Sequence, residues 1–291
     1  MLQQTQVKTV IPYFNRFRKK FTTLELLSKS NEKQILKLWE GLGYYRRARN
    51  LLTSSKLLVK NYNSKLPKTI EELKKLPGVG EYTANALLGL IYNQPTIAID
   101  GNVKRVFARL LNKKKEKINF DKLILFNKKR IFNTGRNADF VEALMEFGAL
   151  ICRPKDPKCR VCCLNKSCKY FKSTKKITTK EKKMIKEISY NIFCYLNNNK
   201  QIALTKENKI SFLKNFNLPE IKKMKKIPNI KNWKFLKNYK NSISNLKLNI
   251  DLYYKISNKK PSNYNWYFLK NNKDFIPSFT KKIFRQVSTL F

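Results

Sequence analysis

The sequence predicts an all-helical domain followed by a smaller α+β domain. In the first half of the chain, apolar residues recur at helical spacing, as at Ala84, Leu87, Leu88 and Ile91. In the second half the pattern changes to β-rich stretches at 190–196, 201–205 and 246–256. Because 42% of the 291 residues are hydrophobic, the chain can form packed cores, and its length suits two domains.

The domain boundaries follow from a polar, basic stretch between the two patterns. Residues 171–184 (FKSTKKITTKEKKM) read as a linker. We therefore expect one domain over 1–170 and a second over 185–291. The first predicted helix carries the apolar stripe Val7, Val10, Ile11 and Phe14. Two further helices are predicted to begin after Gly80 and after Asp100. The remaining predicted helices cover 31–40, 51–62, 70–75, 121–133, 139–151 and 278–290.

The composition excludes some kinds of site. Histidine is absent, which removes His-ligated metals and imidazole bases. Lys and Arg total 63 against 19 Asp and Glu, a net charge of +44 that favours a polyanionic partner. Part of this excess reflects a composition crowded with Lys, Asn and Ile. No stretch has the length of a membrane span and no secretory signal precedes the first helix, so we expect a cytoplasmic monomer without a membrane partner.

A turn between two helices can grip a phosphate. In Leu76-Pro77-Gly78-Val79-Gly80, two glycines allow positive φ and leave the start of the next helix open. Helix N-termini bind phosphates through their backbone N–H groups. An ordinary connection between helices is an equally good interpretation of this turn alone.

One carboxylate follows a short apolar run. Asp100 stands directly after Ile97-Ala98-Ile99 and before a helix whose buried face contains Val103 and Val106. Aspartate is a preferred helix N-cap, and that role alone would explain it. A carboxylate held at this position could also stabilise a positively charged sugar as a base departs. The two roles are compatible.

A second turn presents an apolar residue. Glycines flank Leu42 in Gly41-Leu42-Gly43-Tyr44-Tyr45, and apolar wedges that unstack bases use such tips. Arg46, Arg47 and Arg49 follow and could hold phosphates. A helix C-terminus with its aromatic residues in the core is the alternative interpretation.

Four cysteines lie within seventeen residues, at Cys152, Cys159, Cys162 and Cys168. Thiolates suit zinc or an iron–sulfur cluster, and the spacing alone does not choose between them. Cys163 is interpreted as a bystander thiol, and Cys194 as a buried core residue.

These motifs resemble the helix-hairpin-helix glycosylase superfamily, most closely the MutY-type adenine DNA glycosylases. The resemblance rests on MLQQTQV at 1–7, GLGYYRRARN at 41–50, LPGVGEYTANALL at 76–88, AIDGNVKRV at 98–106 and the cysteine pattern. It is continuous over about 1–170 and weak beyond, where it suggests a Nudix-like domain.

The resemblance implies a function and its residues. The family removes adenine opposite 8-oxoguanine or guanine in double-stranded DNA, and its four cysteines hold one four-iron four-sulfur cluster in the loop 152–168. Asp100 matches the catalytic aspartate, and Asn102 is grouped with it. Tyr82 stands where endonuclease III-type relatives carry a Schiff-base lysine, which implies a monofunctional enzyme. The implied DNA contacts are Gln3, Gln4, Thr5, Leu42, Tyr44, Arg46, Arg49, Gly78, Gly80, Lys104, Arg105, Ser244 and Asn245.

Two alternatives remain open at this point. The family's general-acid glutamate would precede Met1, so we also consider a catalytically impaired protein that only binds the mispair. An endonuclease III-like glycosylase for oxidised pyrimidines with lyase activity is the third hypothesis, and Tyr82 argues against it. In the second domain, Asn245 replaces the histidine usual in the lesion-sensing loop.

Overall fold

The computed structural model describes residues 1–3, 5–132, 134–177, 186–208, 210, 213–223, 232–243, 246–270 and 274–291. The α-helices in chain order are α1 (Val7–Lys20), α2 (Leu24–Ser28), α3 (Glu32–Leu38), α4 (Arg46–Asn61), α5 (Ile70–Lys74), α6 (Glu81–Tyr92), α7 (Gly101–Leu111), α8 (Phe120–Ile131), α9 (Asn137–Glu146), α10 (Lys169–Lys172) and α11 (Ser278–Val287). A π-helical turn, Phe147–Ile151, continues α9. No helix in the described ranges is long and apolar enough to cross a bilayer.

The later part of the chain forms one mixed sheet. Its strands are β1 (Lys186–Asn197), β2 (Gln201–Leu204), β3 (Glu220–Lys223), β4 (Lys234–Ile243), β5 (Leu246–Ile256) and β6 (Asn265–Phe268). The order is β4-β5-β1-β2-β6, and β3 pairs with β1. The β1–β5 pair is parallel, and the other pairs are antiparallel. The predicted α+β character of this part is confirmed.

The chain forms two compact units, and their boundaries differ from those of the expected domains. Residues 53–182 form one unit, and residues 1–52 group with 183–291 in the other. The expected domain over 1–170 did not anticipate this grouping. Its physical reason is a shared core, since buried residues of α1 and α3 belong to the same apolar cluster as those of the sheet and α11.

Tyr45 lies in this shared core, within the unit formed by residues 1–52 and 183–291. Its ring packs edge-on against Phe216 at 5.3 Å and Phe275 at 4.8 Å between centroids. Its hydroxyl lies 3.0 Å from the Ser278 Oγ and accepts from the Ser278 backbone N–H at 3.3 Å, at the start of α11. The tyrosine is therefore both a core residue and a cap for a helix more than 200 positions away in the sequence.

Removing that hydroxyl should destabilise the fold. We expect Tyr45→Phe to lower the free energy of unfolding by about 0.5–1.5 kcal/mol, because it removes the hydrogen bonds between this hydroxyl and Ser278. The neighbouring Tyr44→Phe is the control, since Tyr44 is exposed. Urea denaturation of both variants measures the difference, and equal midpoints would contradict the capping role.

The helical unit has its own core. Leu73, Leu76, Ala84, Leu88, Val103, Val106 and Val141 are buried there. Helix boundaries agree closely with the prediction for α5 and α6, whereas α4 begins five residues earlier than expected. The predicted stripe on α1 was only partly right. Val10 is buried together with Phe17, but Val7, Ile11 and Phe14 are exposed.

Candidate functional site

Asp100 caps helix α7, as predicted. Its Oδ1 accepts the Val103 backbone N–H at 2.7 Å, and its Oδ2 accepts from the Asn102 Nδ2 at 2.9 Å. The preceding residues Ile97 and Ala98 are buried, which fixes the approach of the chain to the helix. Both carboxylate oxygens are thus oriented by donors before any ligand arrives.

Arg105 connects this carboxylate to the cysteine loop. Its guanidinium donates to the Asn102 Oδ1 at 3.0 Å, to the Cys152 carbonyl at 3.0 Å and to the Gly148 carbonyl at 2.6 Å. These bonds hold the guanidinium within the protein, and the expected DNA contact of Arg105 stays a prediction. The exposed neighbour Lys104 remains open to a phosphate.

Sequence reasoning missed Arg109, one helical turn further along α7. This arginine is 4% exposed and donates to the Cys152 Sγ at 3.5 Å and to the Arg153 and Pro154 carbonyls at 2.7 and 3.0 Å. The i, i+4 spacing of Arg105 and Arg109, which places both on one helix face, was the signal available. The pair ties α7 to the cysteine loop.

Gly148 packs closely against Asn102 in this network. A Cβ at this position would lie 2.9 Å from the Asn102 Cβ and 3.5 Å from the Asn102 carbonyl carbon. We expect Gly148→Ala to destabilise the protein by about 1–3 kcal/mol, because the packed neighbour must shift. Gly101→Ala is the matched control, since a Cβ there meets no atom within 4 Å. Thermal melts of both variants test this, and an unaltered Gly148→Ala midpoint would contradict it.

Tyr82 lies half-buried in α6 within electrostatic range of Asp100. Burial first, and the Asp100 charge second, raise the pKa of its phenol. The hydroxyl lies 3.8 Å from the Met145 Sδ. The residue therefore keeps its proton at neutral pH and supplies a neutral hydroxyl, with no amine at this position.

The turn 76–80 has the predicted open geometry. Gly78 adopts φ +84°, a conformation that glycine tolerates, and Gly80 is the N-cap residue of α6. No side chain caps this helix start, and a Cβ at Gly80 would meet no atom within 4 Å. Lys74 pairs with the adjacent Glu81 at 2.8 Å and lowers the pKa of that carboxyl. This pairing offsets the one acidic side chain in the first turn of α6.

The four predicted cysteine ligands line one cavity. Cys152, Cys159, Cys162 and Cys168 surround it together with Arg109 and Tyr170, and its empty space is about 420 Å³, partly open to solvent. Burial first, and then Cys152 and Cys168, raise the pKa of Cys159, which places these thiols in one electrostatic environment. Cys163 is exposed and does not line the cavity, and Cys194 is buried as predicted. Across the described part of the chain, no three cysteine or acidic side chains are grouped closely enough to hold one metal ion.

The turn at 41–45 corrects the predicted wedge. Leu42 is 6% exposed and belongs to the core, whereas Tyr44 is 48% exposed, with φ +48°. Leu42 and Tyr45 pack in the core, which agrees with the alternative interpretation of this turn as a helix C-terminus with aromatic residues in the core. Tyr44 is thus the side chain that the turn presents to solvent.

Two of the arginines that follow are held by internal contacts. The Arg49 Nε pairs with the Glu32 Oε1 at 2.8 Å, and its Cζ stacks 4.4 Å from the Phe216 ring centroid. The predicted phosphate contact of Arg49 stays a prediction beside these internal contacts. Arg47 is bound to the residues before α1, while Arg46 is exposed.

The remaining predicted contacts lie apart in the sequence. Gln3 and Thr5 precede α1, in the same unit as Tyr44. Gln4, Ser244 and Asn245 lie outside the described residues, so their predicted contacts stay predictions. The helical unit contains five other predicted site residues, which are Asp100, Asn102, Tyr82, Gly78 and Gly80.

Comparison with known proteins gives consistent matches. A family described as HhH-GPD superfamily base excision DNA repair protein matches residues 1–125. An adenine DNA glycosylase of Buchnera aphidicola subsp. Baizongia pistaciae is 35% identical over 281 residues, covering 89% of this chain and 77% of that protein. A second, from Buchnera aphidicola subsp. Schizaphis graminum, is 36% identical and covers 72% of this chain and 70% of that protein.

Other relatives match a smaller share of the chain. The human adenine DNA glycosylase is 36% identical over 172 residues, which cover 58% of this chain and 32% of that protein. The solved structure of a thermostable thymine-DNA glycosylase superposes with a TM-score of 0.51 at 26% identity, covering 59% of this chain and 80% of that one.

Proposed function

Since the chain belongs to the adenine DNA glycosylases of the HhH-GPD superfamily, and is therefore a base-excision DNA glycosylase, we propose that it hydrolyses the N-glycosidic bond of adenine paired with 8-oxoguanine or guanine. The observation that supports this most directly is Asp100, whose two oxygens are oriented by the Val103 N–H and the Asn102 amide. A fixed carboxylate is the group that a sugar cation needs beside it.

The proposed reaction proceeds through charge on the sugar. An enzyme must first extrude the nucleotide, because the bond is inaccessible inside a duplex. The bond between the sugar C1′ and the adenine N9 breaks, and adenine leaves with the bonding electrons and takes up a proton. Water adds to C1′ and releases the balancing proton. Asp100 stabilises the cationic sugar between these events, and its orientation requires no reorganisation at that moment.

The contacts to DNA form the second part of the proposal. The open start of α6 at Gly78 and Gly80 receives one phosphate, and the exposed Lys104 contributes a cation in the same unit. In the other unit, Tyr44 supplies an exposed ring that can stack on a base, and Arg46 an exposed charge. Gln3, Gln4 and Thr5 are proposed to face the mispair, and Ser244 and Asn245 to face the lesion.

We also propose that Cys152, Cys159, Cys162 and Cys168 hold a four-iron four-sulfur cluster. Four thiols around one cavity fit such a cluster, whereas a single tetrahedral zinc would draw them together within about 4 Å of one another. The Arg109 donation to the Cys152 Sγ would help to stabilise a coordinating thiolate. Bound in this way, the cluster would order the loop whose Cys152 carbonyl holds Arg105, and through Asn102 would support Asp100.

Tyr82 supports monofunctional chemistry. A lyase needs an amine that attacks the sugar C1′ and forms a Schiff base. Tyr82 has no amine, and we assign the amine of Lys104, whose backbone N–H donates to the Asp100 carbonyl at 2.9 Å, to a DNA phosphate. We therefore propose release of adenine without strand cleavage.

The deciding experiment is a single-turnover assay. The full chain is incubated with duplexes that carry adenine opposite 8-oxoguanine, guanine or thymine, and free adenine is measured with and without later alkali treatment. We expect release from the first two duplexes and strand breaks only after alkali. Tight binding without release would instead assign a mispair-binding protein. A covalent adduct trapped by borohydride would assign lyase chemistry.

A further inference from the structure

Arg47 joins the residues before α1 to the turn at 41–45. We call Met1–Gln3 together with Thr5 the N-terminal segment. The Arg47 Nη1 donates to the Met1 carbonyl at 2.6 Å and to the Gln3 carbonyl. Its Nη2 donates to the Thr5 Oγ1 at 3.0 Å and, on the other side, to the Gly43 carbonyl at 3.4 Å. One guanidinium therefore binds two stretches of chain about 40 residues apart.

Aromatic rings enclose the same guanidinium. Its Cζ lies 5.0 Å from the centroid of the Tyr44 ring and 5.8 Å from that of Trp39. Trp39 is itself fixed, because it is 1% exposed and its Nε1 donates to the Gly43 carbonyl at 3.1 Å. The Arg47 side chain is partly buried, and this burial lowers the pKa of its guanidinium. The expected phosphate contact by Arg47 is thus replaced by an internal role.

We propose that Arg47 is a positioning residue, which fixes the N-terminal segment against the Tyr44 turn so that both meet a duplex as one preformed surface. This proposal rests on the proposed function, because that function assigns Gln3, Thr5 and Tyr44 to the mispair. A planar guanidinium with five donors in a fixed fork can serve four acceptors and two rings together, whereas a lysine ammonium cannot.

The consequence concerns recognition rather than general affinity. Without Arg47, the N-terminal segment would have to become ordered during binding, and that ordering would weaken every contact it makes. Contacts to phosphates elsewhere would be unchanged. The preference for the mispair over a matched duplex should therefore fall, while nonspecific binding should persist.

Three measurements on the full chain test this. For Arg47→Lys, we expect the ratio of Kd values for matched and A:8-oxoguanine duplexes to fall about tenfold or more, as lost hydrogen bonds to a charged group imply. For Arg47→Gln, we expect the slope of log Kd against log salt to equal that of the unaltered chain. In the free protein, amide exchange at Thr5, whose N–H donates to the Leu2 carbonyl, should accelerate in both variants.

Arg18→Lys is the matched control, because Arg18 is an exposed arginine on α1 with no assigned role. An unchanged Kd ratio in Arg47→Lys would overturn the proposal. A salt slope in Arg47→Gln shallower by about one would also overturn it, since that marks a lost phosphate contact. A general loss of fold would lower the active fraction without changing the ratio, and would count against positioning. If the unaltered chain shows no mispair preference, the proposed function fails, and the exchange measurement still decides whether Arg47 orders the segment.

Discussion

Replacing Asp100 with asparagine is expected to lower the single-turnover rate of adenine release about 10²–10³-fold, the loss typical of a removed electrostatic group. Asparagine is as good an N-cap as aspartate, so one oxygen can still accept the Val103 N–H. The substitution therefore removes the charge and keeps the helix start. The cost to stability should be about 1 kcal/mol, because one contact with Asn102 is disturbed.

The control for this prediction is Asp121→Asn. Asp121 is exposed and also lies in the first turn of a helix, α8, but has no place in the site. We expect its rate to equal that of the unaltered chain. An Asp100→Asn protein with full activity would exclude Asp100 as the stabilising group. A large drop in melting temperature would instead favour the capping role as the main one.

Replacing Cys162 with serine should remove the proposed cluster, whereas replacing its neighbour Cys163 should leave it intact. Cys162 lines the cavity, and Cys163 is exposed away from it. After anaerobic purification, we expect about four iron and four sulfide per chain in the unaltered protein and in Cys163→Ser, since each cluster needs four thiolates. Cys162→Ser should lose most of both, together with the visible absorbance.

Metal and sulfide analysis of the Cys162 and Cys163 variants also distinguishes a cluster from the alternative metal sites. One zinc per chain and no sulfide would identify a zinc site instead. Loss of iron in Cys163→Ser would make that thiol a ligand. Because the cluster would order the loop that holds Arg105, Cys162→Ser should also release adenine more slowly. Chelation at equal protein concentration should reproduce that effect in the unaltered chain.

Local features of the site were predictable from the sequence. The open turn at Gly78 and Gly80 and the cap at Asp100 depend on residues within a few positions of each other, and the structure confirms both. The four cysteines that line one cavity also lie within a short stretch of the sequence. Such features are specified by neighbouring residues, so a sequence pattern can reveal them.

Features set by distant partners were not predictable. Leu42 and Arg49 were expected at the surface, but the turn and the following helix belong to a core that includes Phe216 and Phe275. Strand β4 was missed because it is an edge strand rich in lysine and asparagine, which disguises its pattern. The internal contacts of Arg105 were not predicted, because two of its acceptors, the Gly148 and Cys152 carbonyls, lie more than 40 residues further along the chain.

The grouping of residues 1–52 with the C-terminal sheet has a consequence for biosynthesis. Among the described residues, Tyr45 has its ring partners at Phe216 and Phe275, and its hydroxyl partner at Ser278. During translation the first helices therefore emerge long before the residues that cover them, while 53–182 can fold in between. Domains usually fold in order from the N-terminus as they leave the ribosome. In this chain, residues 1–52 cannot complete this packing until synthesis has passed Ser278.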